Sequence, residues 1–259
     1  MKDIREWLDS HPAPKPQARP KGVEVSYSQV NAYLACPWLF KIVYVDFKRP
    51  PLHPKSSLGV SIHRALEAYH RENAADLERM LILYDENWVH AGFSSAPEEL
   101  EWHRKGRRIV ELYWTRDQER RSEILAVEKD FFFPHGPHAV RGTIDRIDRL
   151  PDGRVEVIDY KTHAEVETAE QAAQNLQLAM YGLGARESLG LEPALLSLHY
   201  VALDKKTSVA PDPAREEAVL ELVGRVADII AGSKSYTPDL AHCPSCDFRK
   251  TCPHSTARD

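Results

Sequence analysis

Apolar residues in the first half of the chain recur three and four positions apart. Leu58, Ile62, Leu66 and Tyr69 set one such stripe and predict a helix over 57–73. Similar spacing predicts helices over 76–91 and 98–121. Ahead of them, Ser26 followed by Gln29 carries a capping-box signature and opens a helix running through Ala35. Pro37, directly after Cys36, ends or redirects that helix. The spacing then shifts toward period two and predicts strands over 124–133, 139–150 and 154–161. A helix over 168–189, a strand over 194–203 and a helix over 213–232 follow, and the chain from Tyr236 is loop-rich. Helices, a β-meander, then helix–strand–helix predict an α/β or α+β fold with a mixed central sheet.

Composition narrows this picture. The 259 residues, 42% hydrophobic and 28% charged, suit a soluble globular chain. We read residues 1–22 as a Pro-rich arm or linker, since 11–22 hold four prolines. Trp7 and Leu8 before them form a docking helix or a disordered stretch. Residues 23–259 are read as one domain. No apolar run approaches the roughly 18 residues of a membrane span, and the N-terminus has no signal core. A cytoplasmic location is expected, where thiols stay reduced. The four cysteines, Cys36, Cys243, Cys246 and Cys252, then read as metal ligands before disulfides. A net charge of −5 argues against a surface coated for nonspecific nucleic-acid binding, while leaving room for a local basic groove. The basic helix residues Arg104, Lys105, Arg107, Arg108, Arg116, Arg120 and Arg121 are diluted by glutamates and read as a solvated face.

The chemistry concentrates in the middle of the chain. Pro151-Asp152-Gly153 reads as a three-residue hairpin loop with Gly153 left-handed. That loop pairs Leu150 with Arg154 and so sets Asp145 opposite Asp159, on one face. Lys161 lies two residues beyond Asp159 and shares the face. Paired carboxylates repel unless a cation sits between them, and oxygen donors favour Mg²⁺ or Mn²⁺. A lysine beside them can orient water or stabilise charge developing on a phosphate. The competing readings are a surface hairpin with scattered charge and a structural Asp–Lys ion pair. Val157, Ile158 and Tyr160 make both faces of the strand apolar, so charges there need partners.

Gly142-Thr143-Ile144-Asp145-Arg146-Ile147, followed by Ile158-Asp159-Tyr160-Lys161-Thr162, resembles the PD-(D/E)xK nuclease superfamily. Within it the match is to the RecB-like exonuclease branch that carries an iron–sulfur cluster, the group of the CRISPR-associated adaptation exonuclease and AddB-type nuclease domains. Further motifs fit in order: Ser26 to Cys36-Pro37, Gly59-x-x-x-His63, Gln177-x-x-x-Tyr181, and the triplet Cys243, Cys246, Cys252. Ile144 stands where the superfamily name has proline.

The resemblance implies a restriction-endonuclease-like mixed sheet flanked by helices. It adds an N-terminal helical region, a helical insertion over about 57–121 and a nuclease core over about 122–205. A C-terminal cysteine segment over about 236–254 completes it, clamped to Cys36. It makes Asp145, Asp159 and His63 ligands of one or two Mg²⁺ or Mn²⁺ ions. Lys161 would position or activate water, and Gln177 and Tyr181 would contact substrate or Lys161. Gln177 and Tyr181 form a polar helix face, with Leu176, Met180 and Leu183 opposite as the buried stripe. Glu128 is either a further metal carboxylate on the neighbouring strand or an exposed strand glutamate. The four cysteines would hold a structural [4Fe–4S] cluster, or zinc, with His242 and His254 as spare zinc ligands.

The implied partner is DNA, single-stranded or with free ends, and a helicase or another repair or defence protein, since the chain has no P-loop of its own. Rival readings are a catalytically silent nucleic-acid scaffold and a zinc-stabilised interaction module.

Overall fold

The structure, a computed structural model, describes residues 22–74, 76–233 and 235–258. The expected Pro-rich arm, with Trp7 and Leu8, lies outside the described residues apart from Gly22. In chain order the elements are β1 (Glu24–Val25), α1 (Tyr27–Ala35), α2 (Pro37–Phe40) and a π-helical turn (Lys41–Val45). Then come α3 (Pro54–Glu72), α4 (Leu77–Glu86), α5 (Ala96–Asp117), β2 (Glu123–His135), β3 (His138–Arg149) and β4 (Val155–Lys161). The chain continues with α6 (Ala169–Ala173), α7 (Leu176–Leu189), β5 (Pro193–Tyr200), β6 (Lys205–Val209), α8 (Pro213–Gly232) and a 3₁₀ turn (Leu240–Ser245). The fold is mixed α/β, with a mixed sheet flanked by helices, as expected. Contacts divide the chain into two units.

The larger unit comprises 52–131 and 143–212. Its sheet runs β3–β4 antiparallel, β4–β5 parallel and β5–β6 antiparallel. The predicted apolar stripe of α3 is buried: Leu58, Ile62, Leu66 and Tyr69 join Met80, Leu83 and Tyr84 of α4 and Ile109, Val110 and Tyr113 of α5 in one core. Ile158 and Tyr160 of β4 belong to the same core, so the helices fix the back of the strand. Gly106 allows α5 to approach closely, because a Cβ there would lie 2.1 Å from the Tyr84 hydroxyl oxygen.

The smaller unit comprises the described residues up to Pro51, 132–142 and those from Pro213 on. The Ser26–Gln29 capping box forms as predicted, and α1 and β1 pack on α8. β1 pairs in parallel with the start of β3, Glu24 opposite Ala139. Buried His138 bridges the Val23 amide and the Asp228 carboxylate, at 3.2 and 2.9 Å.

Two expectations change. The helix expected over 168–189 is two helices, because Asn175 turns its side chain onto the Leu178 amide at 3.1 Å and caps α7 there. Pro37 redirects the chain as expected: Cys36 is extended, and Pro37 takes the first helical position of α2. Strand β6 had no alternating apolar signal, since Lys205-Lys206-Thr207-Ser208-Val209 is an edge strand with three of its five residues exposed.

Candidate active site and cysteine pocket

The hairpin between β3 and β4 takes the predicted form. Gly153 is left-handed at φ +85°. The Leu150 amide donates to the Arg154 carbonyl, and the Gly153 amide to the Leu150 carbonyl, both at 2.8 Å. The ladder pairs Arg149 with Val155 and Arg146 with Ile158. One step further, Asp145 stands opposite Asp159. Its Oδ2 accepts the Tyr160 amide at 2.7 Å, so a side chain replaces the next rung. Both aspartates are buried, at 7% and 2% exposure.

Burial of Leu58, Ile62 and Leu66 sets the rotation of α3 and leaves His63 at the rim of the apolar stripe. There its Nδ1 comes within 3.5 Å of Asp145 Oδ2. Glu128 on β2 adopts a left-handed backbone, φ +43°, in mid-strand. His63, Glu128 and Asp145 each offer a ligand atom, and these atoms all lie within 4.8 Å of one another. Glu128 is thus gathered at the site and is not an exposed strand glutamate.

Lys161 Nζ lies 2.5 Å from Asp159 Oδ2, a buried ion pair. The same ammonium donates to Gln177 Oε1 at 2.9 Å, and Gln177 Nε2 donates to Tyr181 Oη at 2.9 Å. Gln177 makes the Lys161 contact that was one of its two expected roles, while Tyr181 reaches the lysine only through Gln177. Tyr181 is buried together with eight other residues of α7, and Gly184 sits directly on the Phe131 ring.

The electrostatics of the carboxylates point one way. Burial, then Asp159 and Glu128 nearby, hold the Asp145 carboxyl well above its usual range, against the Tyr160 amide and Lys161. Burial raises Asp159 too, with Lys161 opposing. Glu128 is pushed up to about 7 by burial, with Glu67, Asp130 and Asp159 adding and Arg71 opposing. The His63 imidazole is held neutral, its pKa lowered to about 4 by burial and by Lys161. A neutral imidazole is the ligating form. Crowded buried carboxylates beside a neutral histidine are a cation-binding donor set, since a divalent ion removes the repulsion that raises their pKa values. The residues present therefore fit Mg²⁺ or Mn²⁺.

Behind the strand lies a network that residue patterns alone did not reveal. Arg146 Nε and Nη2 donate to the two Asp148 oxygens, each at 2.6 Å. Its Nη1 donates to the Tyr113 and Tyr160 hydroxyls at 2.8 and 3.3 Å. Tyr113 Oη is 2.7 Å from Tyr160 Oη and 2.6 Å from His70 Nε2. Burial and then Arg146 lower the His70 pKa to about 3. The available signal was period two: Arg146 and Asp148 alternate with Asp145 and so face the other way.

In the smaller unit, all four cysteines are free thiols and line one pocket with Trp38, Leu39 and Ile42. The Asp239 amide donates to Cys36 Sγ at 3.2 Å. The 3₁₀ turn closes around Cys243, with the Cys246 amide on its carbonyl at 3.2 Å. Burial pushes the Cys246 thiol up, and Cys36 and Cys252 add to it. His254 packs edge-on against Trp38, ring centroids 4.4 Å apart, and His242 Nδ1 lies 3.3 Å from Ser245 Oγ.

Paired carboxylates and a lysine on adjacent strands of a mixed sheet are a donor set suited to phosphate chemistry with a divalent ion. A family model for the PD-(D/E)XK nuclease superfamily matches residues 24–253, and the chain belongs to that superfamily. The Gene 69 protein of Mycobacterium phage D29 is 26% identical over 274 residues, spanning 88% of this chain and 96% of its own. Among solved structures, "Crystal structure of SSO0001" aligns over 98% of this chain and 95% of its own, with 14% identity and a TM-score of 0.40.

Proposed function

We propose that the protein is a Mg²⁺- or Mn²⁺-dependent nuclease that removes nucleotides from single-stranded DNA or duplex ends. The observation that carries this reading is the convergence of His63, Glu128 and Asp145 within 4.8 Å beside the Asp159–Lys161 pair. Asp145, Asp159, His63 and Glu128 would hold the metal. When bound, the ion supplies Lewis-acid stabilisation of the phosphodiester and lowers the pKa of water. Lys161, anchored through Gln177 and Tyr181, directs its remaining N–H toward the attacking water or the phosphate oxygen. Tyr160 fixes Asp145 through its backbone amide.

Cys36, Cys243, Cys246 and Cys252 would hold a structural [4Fe–4S] cluster; the four thiols lining one pocket support this, and zinc is the alternative. No helix among the described residues is long and apolar enough to cross a membrane. The reading places the protein in the cytoplasm, working beside a helicase or another repair or defence protein that opens duplex DNA.

The test is Mn²⁺-dependent degradation of end-labelled single-stranded DNA by anaerobically purified protein and its Lys161→Ala variant, with iron and sulfide analysis. Cutting by the wild type alone supports the reading. Binding of DNA without cutting by either favours a silent scaffold, and zinc without sulfide replaces the cluster.

A further inference from the structure

The segment after α2 holds a residue whose backbone and side chain both lack a structural return. The π-helical turn Lys41–Val45 ends on the Asp46 amide, which donates to the Lys41 carbonyl at 2.8 Å. The Lys48 amide then reaches back to the Ile42 carbonyl at 3.0 Å. This closure puts Phe47 in the left-handed region, φ +53°. Helix ends closed in this way use glycine or asparagine at the left-handed position, and a bulky residue there is a genuine outlier. Burial of the ring could offset the strain, yet Phe47 is 82% exposed, the most exposed large apolar side chain among the described residues.

The surroundings select an occupant. Every residue from Val45 to His53 is exposed. Asp46 is paired with Lys41 Nζ at 2.6 Å, which cancels those two charges. Lys48 and Arg49 follow the ring directly, so the local charge is positive, and Pro50-Pro51 hold the next residues extended. A bare aromatic face beside two cations is the arrangement on which bases stack while the backbone is tracked electrostatically.

We propose that Phe47 is a base-stacking contact for single-stranded DNA, with Lys48 and Arg49 engaging the adjacent phosphates. The proposal rests on the nucleic-acid reading above and names how the substrate is gripped. A protein partner docking on the ring is the competing occupant.

The test is fluorescence anisotropy of a labelled oligothymidylate with the full chain in EDTA, where cleavage is suppressed. Four proteins are compared: wild type, Phe47→Gly, Phe47→Trp, and the double variant Lys48→Ala with Arg49→Ala. Glycine suits the left-handed backbone, so Phe47→Gly keeps or raises the melting temperature. It is expected to weaken binding about 5- to 150-fold, the range for losing one stacked base. Phe47→Trp binds like wild type. The double variant flattens the log affinity–log salt slope by about 1.4, as two single-strand phosphate contacts require. Equal binding by wild type and Phe47→Gly overturns the proposal alone and leaves the ring to a protein partner. A wild type that binds no oligonucleotide overturns it together with the nuclease reading.

Discussion

Asp145→Asn should make the metal-free protein more stable and the metal response disappear. Asn keeps the size of the side chain and an oxygen to accept the Tyr160 amide, now at 2.7 Å. What it removes is a buried carboxyl crowded by Asp159 and Glu128. Two full charges 4.8 Å apart, the outer spacing of the ligand atoms, repel by about 3.5 kcal/mol at an effective dielectric constant of about 20. Protonation already relieves part of that in the wild type, so the net gain for the variant is about 1–3 kcal/mol. For a chain of this size each kcal/mol moves the melting temperature by about 2–4 °C. Mn²⁺ at about one hundred times its dissociation constant should stabilise the wild type by about 2.7 kcal/mol, and Asp145→Asn by far less. Thermal unfolding in EDTA and in MnCl₂ measures both effects. A variant that melts lower in EDTA, and still rises with Mn²⁺ as the wild type does, would show that Asp145 is neither strained nor a ligand.

Lys161→Ala should lower the cleavage rate by about 10²–10³-fold, the range for one preorganised charge-stabilising donor, with single-turnover kinetics as the readout. Gln177→Leu should lower it less, since the lysine keeps Asp159 as partner. On the proposed cluster reading, Cys246→Ala should lower the iron content found by metal analysis and the melting temperature, because a cluster would close the chain between residue 36 and residues 243–252. Acid should destabilise the larger unit. His70 and His199 are held at about 3 and about 4 in the fold, both chiefly by burial, against about 6.5 unfolded. Their neutral forms cost nothing above pH 6.5. Below it the unfolded chain takes up the protons, and stability falls by as much as about 1.4 kcal/mol per pH unit for each histidine. His199→Gln should flatten that slope in urea titrations at pH 7.5 and 5; an unchanged slope counts against a buried neutral imidazole.

The sequence read well wherever local chemistry decided the outcome. The Ser26–Gln29 box, the stripe of α3 and the three-residue loop at Gly153 are set by side chains within a few positions, and the loop alone placed Asp145 opposite Asp159. What escaped was decided by distant partners. Asn175 could have continued a helix, and only its cap on Leu178 splits α6 from α7. Tyr181 was read on a polar face opposite the buried stripe, and nothing local announces that Phe131 packs on it. Glu128 could not be assigned from β2, because its place beside His63 depends on a left-handed residue that no glycine marks.

Strand β4 carries opposite demands on its two faces. Toward the candidate metal, burial pushes the Asp159 carboxyl above its ordinary range, with Lys161 Nζ 2.5 Å from its Oδ2 as the opposing charge. Toward the helices, the Tyr160 hydroxyl sits in a network in which Arg146 donates to Asp148, Tyr113 and Tyr160. A polar network that is fully satisfied rigidifies. The satisfied face therefore holds the backbone of residues 159–161, and with it Asp159 and Lys161 on the other face. Tyr160 links the two directly, its hydroxyl in the network and its amide on Asp145. The crowding that raises the Asp145 and Asp159 carboxyls at the front is sustained because the back is held, so these side chains keep their places.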